Sequence, residues 1–233
     1  MLHGFGGTAR HWDRVAALLD RERYSPLALE LTDARPLSLA GALDLVAGVH
    51  AERFILCGYS MGGRIALHVA VAMPERVSRL VLVSTSAGIE DDAERAARRR
   101  ADEALANDVE GGTVDDFVER WRKTPLFAGD PVWVQEAAAA DTRRLTAEQI
   151  AAMLRAFSAG TLEPLWGSLE MVSPPVAVLA GERDYAYCQI GQRLATTVPD
   201  GRFGVVAGAG HRLALEAPAV VVAALAPSRA AKS

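Results

Sequence analysis

One serine of this chain stands in a setting that would make it a nucleophile. The sequence Gly-Tyr-Ser-Met-Gly at residues 58–62 follows an apolar run, 54–57, and precedes apolar residues spaced as in a helix. A G-x-S-x-G sequence in this context predicts a sharp strand-to-helix turn that exposes the serine hydroxyl. Side chains two residues to either side would clash in such a turn, and the positive end of the following helix favours negative charge. We therefore predict that Ser60 is a nucleophile.

A base must lie within hydrogen-bond reach of this serine, because a lone hydroxyl is a poor nucleophile. Of the five histidines, His50 and His68 fall on helical patterns, and His11 lies in the first predicted helix. His3 ends a predicted strand, and His211 lies in a Gly-rich loop after the last predicted strand. Chains with this type of turn carry serine, acid and histidine in that order. Only His211 lies beyond a suitable acid, so it is the predicted base.

The acid is expected just after the strand predicted at 176–180, where Gly-Glu-Arg-Asp follows at 181–184. A carboxylate in this place would accept the imidazole N–H, fix its tautomer and stabilise the imidazolium. We favour Asp184, because Glu182 would still lie beside the end of the strand. The alternative for either residue is a solvated loop carboxylate.

Two preorganised N–H groups are needed where negative charge develops on a substrate oxygen. The backbone N–H of Met61, directly after the nucleophile, is the first candidate. The second is expected from the loop after the strand that ends at His3-Gly4, and Phe5 is the candidate there. The alternative for this segment is a Gly-rich turn without a catalytic role.

These side chains would be positioned by strands that alternate with longer helical patterns. Such alternation predicts an α/β fold, with a mostly parallel sheet and helices on both faces. The predicted strands are 26–31, 53–57, 80–83, 176–180 and 202–206, and the predicted helices are 11–19, 39–50, 61–73, 190–198 and 219–225.

A segment of different composition interrupts this alternation. Residues 87–171 are rich in Ala, Arg, Glu and Asp with helical periodicity and show no convincing strand. We predict that they form a helical cap inserted into a core made of 1–86 and 172–233. The last residues, 227–233, are predicted to form a frayed tail.

Composition limits the classes of partner. A formal net charge of −4 argues against a nucleic acid or an anionic membrane surface as the main partner. No apolar run is long enough to cross a membrane, and the start lacks the pattern of a signal peptide. These features predict a cytoplasmic protein that acts on a small molecule, and they leave the oligomeric state open.

No metal and no organic cofactor are predicted, because neither a cluster of metal ligands nor a dinucleotide motif occurs. Cys57 and Cys188 lie far apart in apolar segments, which indicates buried free thiols rather than a disulfide.

Together these residues resemble the α/β-hydrolase superfamily over essentially the whole chain. Within it, the chain is most similar to the 2-succinyl-6-hydroxy-2,4-cyclohexadiene-1-carboxylate synthases of menaquinone biosynthesis, which use the hydrolase triad to abstract a proton and eliminate pyruvate. The matching segments are 3–8, 58–64, 80–88, 94–98, 117–121, 125–127, 144, 164–166, 181–184, 209–211, 216 and 218.

The resemblance implies a pocket that holds a substrate with several carboxylates. The residues implied are Tyr59, Arg64, Arg98, Trp121 and Arg144, and Phe127 is a further candidate for the pocket wall. An arginine can grip a carboxylate with two parallel hydrogen bonds, which makes this role reasonable for the three arginines.

Four of these pocket residues also have a simpler interpretation. Arg98 lies in a charged helical stretch, where a solvated face is the usual arrangement. Arg64, one helical turn past the serine, could point outward, and Trp121 and Phe127 could pack the cap against the core.

The chain departs from the synthase pattern around the pocket. Ala186 stands where that family has a lysine, Ala214 where it has a second histidine, and residues 31–36 replace a Pro-Gly-His-Gly loop. Only Met1-Leu2 precede the His-Gly motif, where family members carry further strands, so either the chain is naturally clipped or its true start lies upstream. Strands shortened in this way would leave backbone groups unpaired, at a cost in stability. These departures predict altered substrate choice with the catalytic residues retained.

Three functions remain open from the sequence. The leading hypothesis is an enzyme with a Ser-His-Asp triad that acts on a small carboxylate-bearing or ester substrate, with pyruvate elimination slightly favoured. The first alternative is a carboxylesterase that works through an acyl-enzyme. The second is a catalytically inactive, ligand-binding member of the fold, because fold alone does not settle function.

Overall fold

A four-stranded parallel sheet lies at the centre of the fold. The computed structural model describes residues 1–226, so the tail predicted at 227–233 lies outside the described residues. The strands follow one another across the sheet in chain order and are β1 (Phe54–Tyr59), β2 (Val77–Val83), β3 (Val176–Gly181) and β4 (Gly201–Val206). β3 is buried along its whole length, as its apolar sequence predicts for a strand covered on both faces.

Ten α-helices accompany the sheet in the described part of the chain. They are α1 (Asp13–Leu18), α2 (Leu39–Ala47), α3 (Met61–Ala72), α4 (Asp92–Glu110), α5 (Val114–Trp121), α6 (Val132–Thr142), α7 (Ala147–Phe157), α8 (Tyr185–Thr197), α9 (Leu213–Glu216) and α10 (Pro218–Leu225). Short 3-10 helices cover Ala9–Trp12, Leu31–Asp33 and Trp166–Met171. None of the helices described for residues 1–226 combines the length and apolarity that a membrane crossing requires.

Successive side chains of the strands point to opposite faces, which gives the sheet two separate apolar layers. Leu80 and Leu82 belong to the larger layer, against α3, whereas Val81 and Val83 belong to the smaller one, with α1 and α10. The expectation of a parallel α/β sheet with helices on both faces is confirmed.

Four of the five predicted strands form, with ends shifted by up to three residues, but the strand predicted at 26–31 is wrong. There Leu29 forms a single bridge with Leu2, and Leu2 forms a single bridge with Gly58 of β1. Leu2 N donates to Cys57 O (2.8 Å), and Tyr59 N donates to Leu2 O (3.1 Å). Within residues 1–226, the segment around Leu2 supplies one bridging residue, so residues 26–31 have no full strand to pair with.

Other sequence predictions need adjustment at the helix ends and at one cysteine. The helix predicted at 190–198 begins five residues earlier, at Tyr185, and the one predicted at 39–50 ends at Ala47. Both thiols are free, but only Cys57 is buried. Cys188 is partly exposed on α8, so its predicted burial is wrong.

Helices α4 to α7 lie between β2 and β3 in the sequence, and we call these four helices the cap. They occupy Asp92–Phe157 of the insertion predicted at 87–171, whose domain boundaries stay a prediction. α4 packs along α7 through small and apolar residues such as Ala106, Ala151 and Leu154. The helical periodicity of this segment reflects that contact.

Candidate active site

Ser60 occupies a tight turn between β1 and α3. Its φ of 51° and ψ of −112° place it in a backbone conformation that non-glycine residues rarely adopt. A Cβ added at Gly58 would lie 2.4 Å from the carbonyl oxygen of Gly62, and one at Gly62 would lie 2.4 Å from the carbonyl oxygens of Leu2 and His3. The predicted steric need for both glycines is therefore confirmed.

His211 lies between Ser60 and Asp184. Its Nε2 is 3.2 Å from Ser60 Oγ, and its Nδ1 is 2.6 Å from Asp184 Oδ2. The imidazole is only 1% exposed. Because a carboxylate can only accept, Nδ1 donates to Asp184, which leaves Nε2 free to accept from the Ser60 hydroxyl. Three segments that are distant in the sequence thus form one continuous hydrogen-bonded chain.

Glu182, the alternative acid, has a different contact. Its Oε2 accepts from the backbone N–H of Gly208 at 2.7 Å, in the loop that precedes His211. The carboxylate beside the imidazole is therefore that of Asp184.

Two backbone N–H groups lie beside Ser60. Met61 is the first residue of α3, so its N–H has no partner within that helix. Phe5 follows Gly4, where an added Cβ would lie 2.6 Å from the Tyr59 ring and 3.4 Å from Ser60 Cβ, so this loop passes directly over the nucleophile. Within residues 1–226, neither N–H donates to a protein acceptor. Both predicted donors are thus beside the nucleophile and free to bind a ligand oxygen.

The loop of residues 4–8 is held by the cap. Asp141 accepts from Thr8 twice, from the backbone N to Oδ2 (2.9 Å) and from Oγ1 to Oδ1 (2.6 Å). Thr142 Oγ1 donates to Gly6 O at 2.7 Å. No sequence pattern pointed to Asp141 or Thr142, because these contacts join residues more than 130 positions apart.

His11 supports the turn from behind. Its ring stacks on that of Tyr59, with centroids 4.5 Å apart and planes 6° from parallel. Burial lowers the pKa of His11 from 6.5 to about 3, so the ring is neutral, and burial raises the pKa of Tyr59. The Nε2 atom of His11 is buried without a hydrogen-bond partner among the described residues. Its place on a helical pattern gave no sign of this role.

A cavity of about 740 Å³ opens above Ser60, between the sheet and the cap. That size suits a small organic ligand. Five of the six predicted substrate-binding residues line it, namely Tyr59, Arg64, Arg98, Trp121 and Phe127.

Two of the three predicted arginines line the cavity, but they differ in burial and in hydrogen bonding. Arg64 is 8% exposed, its Nε has no hydrogen-bond partner in the described part of the chain, and burial lowers its pKa. Arg98 instead donates from Nε to Asp102 Oδ2 at 2.7 Å, and its side chain is about half exposed. Arg64 is therefore the cavity cation that lacks a protein anion.

The third arginine, Arg144, lies outside the cavity, so its predicted place in the pocket is wrong. Its side chain is 51% exposed, and its Nε is 4.0 Å from Asp141. α6 ends at Thr142, and its final turn presents Asp141 and Thr142 to the loop of residues 4–8. Arg144 follows after the end of the helix and points to solvent.

Comparison with known proteins agrees with this geometry. Residues 1–224 match a family model described as the alpha/beta hydrolase family. The chain belongs to the alpha/beta hydrolases. It is therefore an enzyme of that superfamily, as its sequence predicts.

Named relatives of this hydrolase share one activity. It is 32% identical to a Bacillus subtilis protein assigned as a 2-succinyl-6-hydroxy-2,4-cyclohexadiene-1-carboxylate synthase, over 93% of this chain and 84% of that protein. It is 30% identical to the synthase of that name from Citrobacter koseri, over 97% of this chain and 90% of the relative. The predicted resemblance to this group of synthases is confirmed.

Solved structures show the same relationship. MenH from S. aureus superposes on this hydrolase with a TM-score of 0.83 and 26% identity, over 96% of this chain and 91% of that one. An esterase from Thermogutta terrifontis gives a TM-score of 0.71 at 24% identity, over 96% of this chain and 86% of that one, and shares the fold.

Sequence reasoning missed further neighbours of the base in this hydrolase. The ring of Tyr187 lies 4.7 Å from that of His211 and lines the cavity. The guanidinium of Arg212 lies 3.6 Å above the ring of Phe127 and forms a buried ion pair with Asp130 of the cap. Burial raises the pKa of Asp130. Their positions in the sequence could have pointed to both residues. Tyr187 lies on α8, three residues after Asp184, and Arg212 directly follows His211.

No group of three or more His, Cys, Asp or Glu side chains within residues 1–226 is arranged to hold a metal ion. Besides Ser60 and Arg64, the cavity is lined by further charged side chains, namely Glu90, Asp91, Glu94, Arg98, Asp102 and Arg193.

Proposed function

We propose that this hydrolase is a 2-succinyl-6-hydroxy-2,4-cyclohexadiene-1-carboxylate synthase that releases pyruvate, with Ser60, His211 and Asp184 as its triad. Arg64 is the observation that carries the proposal. A buried guanidinium without a protein partner is costly unless a ligand neutralises it. It lies one helical turn past the nucleophile, in a cavity of small-molecule size. A substrate carboxylate would fill that requirement with a bidentate contact.

The triad would act as a base on a carbon acid. His211 Nε2 accepts the Ser60 proton as the serine oxygen takes a proton from the substrate carbon. The electrons of the broken C–H bond form a new C=C bond in the substrate ring as the C–O bond to the leaving group breaks. The leaving group departs as the enolate of pyruvate and takes up the proton that His211 gained, which gives pyruvate and restores the neutral imidazole. Asp184 keeps Nδ1 protonated and stabilises the imidazolium in between.

Six further residues of the site take binding roles in this proposal. The N–H groups of Phe5 and Met61 stabilise negative charge on a carbonyl oxygen conjugated to the carbon acid. Arg98, already paired with Asp102, is a second and weaker carboxylate contact. Tyr59, Trp121 and Phe127 form the apolar walls.

The decisive experiment compares pyruvate release with ester hydrolysis. Wild-type protein is supplied with the menaquinone intermediate, and pyruvate is measured by coupling to lactate dehydrogenase; short p-nitrophenyl esters are tested in parallel. Ser60→Ala removes the nucleophile, and Ser86→Ala, which changes another cavity serine, is the matched control. We expect pyruvate release that falls at least about 10³-fold in Ser60→Ala and stays near wild type in Ser86→Ala.

Fast ester turnover without pyruvate release would instead favour the second candidate, a carboxylesterase. Its support is the pair of free N–H groups beside Ser60, which suits a tetrahedral acyl intermediate. An acetyl adduct on Ser60 after a p-nitrophenyl acetate burst would identify it. A protein that showed neither activity and did not react with a fluorophosphonate at Ser60 would be an inactive binding member of the fold.

A further inference from the structure

The cap and the loop of residues 4–8 are joined by hydrogen bonds to two adjacent residues of α6, Asp141 and Thr142. Both oxygens of one carboxylate, Asp141, accept from a single residue, Thr8. The hydroxyl of the next residue, Thr142, lies 2.7 Å from Gly6 O and 3.0 Å from Ala138 O of its own helix. Thr8 and Thr142 are both buried. The bond from Thr142 to Gly6 is buried and the two bonds to Asp141 are partly buried, so water competes with them less than it would with exposed bonds.

The position of Asp141 opposes what its own helix prefers. It is the penultimate residue of α6, where the negative end of the helix dipole disfavours an acidic side chain. The carboxylate gains instead from the backbone N–H and the hydroxyl of Thr8. The needs of the loop, rather than those of the helix, therefore account for an acid at this position.

These contacts reach the Phe5 N–H through one short path. The Gly4 carbonyl and the Phe5 N–H belong to the same rigid peptide plane. Gly4 O accepts from Gly7 N at 3.2 Å, and Gly7 is followed by Thr8, which Asp141 holds. Thr142 holds the carbonyl of Gly6, and this carbonyl belongs to the same peptide plane as the Gly7 N–H. The Gly4–Phe5 peptide plane is thus hydrogen-bonded to the Gly6–Gly7 plane, which Thr142 holds directly and Asp141 holds through the neighbouring Thr8.

We propose that Asp141 and Thr142 are positioning residues, through which helix α6 orients the Phe5 N–H towards the negatively charged oxygen of the reacting group. The proposal rests on the oxyanion role given to Phe5 above, but not on pyruvate elimination. It assigns to the cap a part in stabilising the transition state, in addition to enclosing the cavity.

The test uses a ligand that resembles the transition state and one that does not. Phenylboronic acid bonds to the serine oxygen, whose proton passes to His211, and boron becomes a tetrahedral anion with an oxygen directed at the N–H donors. Succinate serves as the probe of carboxylate binding at Arg64. The full-length variants are Thr142→Val, which removes the hydroxyl, Thr142→Ser, which keeps it, and Asp141→Asn. Asp115→Asn is the matched control, because Asp115 pairs with Arg143 on the cap surface and does not touch the loop.

We expect Thr142→Val and Asp141→Asn to weaken phenylboronic acid binding by about tenfold or more, since removal of one oxyanion donor costs about 10²–10³ in rate. Succinate binding should change by less than about twofold, and Thr142→Ser and Asp115→Asn should bind both probes as wild type does. Thermal unfolding identifies variants that do not fold; if Asp141→Asn is among them, the Thr142 pair decides.

Unchanged boronate affinity in a folded Thr142→Val protein would overturn the proposal, and so would a parallel loss of succinate affinity. Wild-type protein that did not bind phenylboronic acid would overturn both this proposal and the triad. Wild-type protein that bound it but released no pyruvate would remove only the synthase activity and leave the positioning role in place.

Discussion

The ring of His11 lies parallel to that of Tyr59, 4.5 Å away, directly behind the turn that carries Ser60. A charged imidazole would be desolvated in this position, and burial accordingly lowers its pKa to about 3. The neutral ring therefore makes the stability of the fold depend on pH.

The pKa of His11 predicts loss of stability in mild acid. Below about pH 6.5 the unfolded chain binds a proton at this residue, whereas the folded protein does not bind one until about pH 3. The neutral His11 ring therefore contributes fully to the free energy of unfolding above about pH 6.5. As the pH falls below that value, the free energy of unfolding decreases by about 1.4 kcal/mol per pH unit, which amounts to ~2 kcal/mol at about pH 5. Urea unfolding at about pH 7.5 and about pH 5 measures it. His11→Phe should flatten the dependence, whereas His50→Gln, at an exposed histidine, should not; equal slopes in the two variants would contradict the assignment.

The turn at Ser60 predicts a strong effect of one added methyl group. Gly58→Ala would place Cβ 2.4 Å from Gly62 O, and the next nearest atoms, 2.7 Å away, are also backbone atoms of Gly62 and Gly63, which cannot move aside as a flexible side chain could. We expect a loss of more than about 3 kcal/mol, or no folded protein. Gly167→Ala is the control, since an added Cβ there meets nothing within 4 Å. Similar melting temperatures for the two variants would refute the steric argument.

Substitution of Asp184 and of Glu182 tests which of the two carboxylates orients His211. Asp184→Asn should reduce kcat about 10⁴-fold, because the amide favours the wrong tautomer of His211. Glu182→Gln should stay within about threefold of wild type, since its carboxylate contacts only the loop before the base. Steady-state kinetics of the active reaction measures both, and a larger loss in the glutamine variant would reverse the assignment.

Arg64 should affect stability and substrate binding in opposite directions. Arg64→Met removes a buried cation without a protein partner, so the ligand-free protein should gain about 1–3 kcal/mol. The same change should raise KM for a carboxylate substrate at least about 10²-fold, because a charge-assisted contact is lost. Arg144→Met, at a residue outside the cavity, should do neither. A destabilised Arg64→Met protein would mean that the guanidinium has a structural partner.

The sequence predicted that Ser60, Asp184 and His211 lie together, but it did not predict the residues that hold the loop above them. Ser60, Asp184 and His211 could be placed because a local motif and a fixed chain order mark them. Asp141 and Thr142 could not, because their partners are more than 130 residues away and any polar residue at the end of a helix looks alike in sequence.

The errors have physical causes of the same kind. Alternating leucines at 27, 29 and 31 suit a strand, but a strand also needs a neighbour, and Leu2 forms only a single bridge with this segment, at Leu29. Arg144 matched its family position, yet the end of α6 at Thr142 turns its side chain to solvent.

The ion pair between Arg212 and Asp130 gives the cap a second attachment, beside the base, in addition to the one that α6 makes beside Phe5. An outward swing of the cap large enough to admit a substrate would break both attachments together. In such an open form, the Phe5 N–H would lose the contacts proposed to orient it, and they would form again when the cap closes over a bound substrate. The reaction would then take place only in the closed form, which excludes bulk water and so limits hydrolysis of a reactive intermediate.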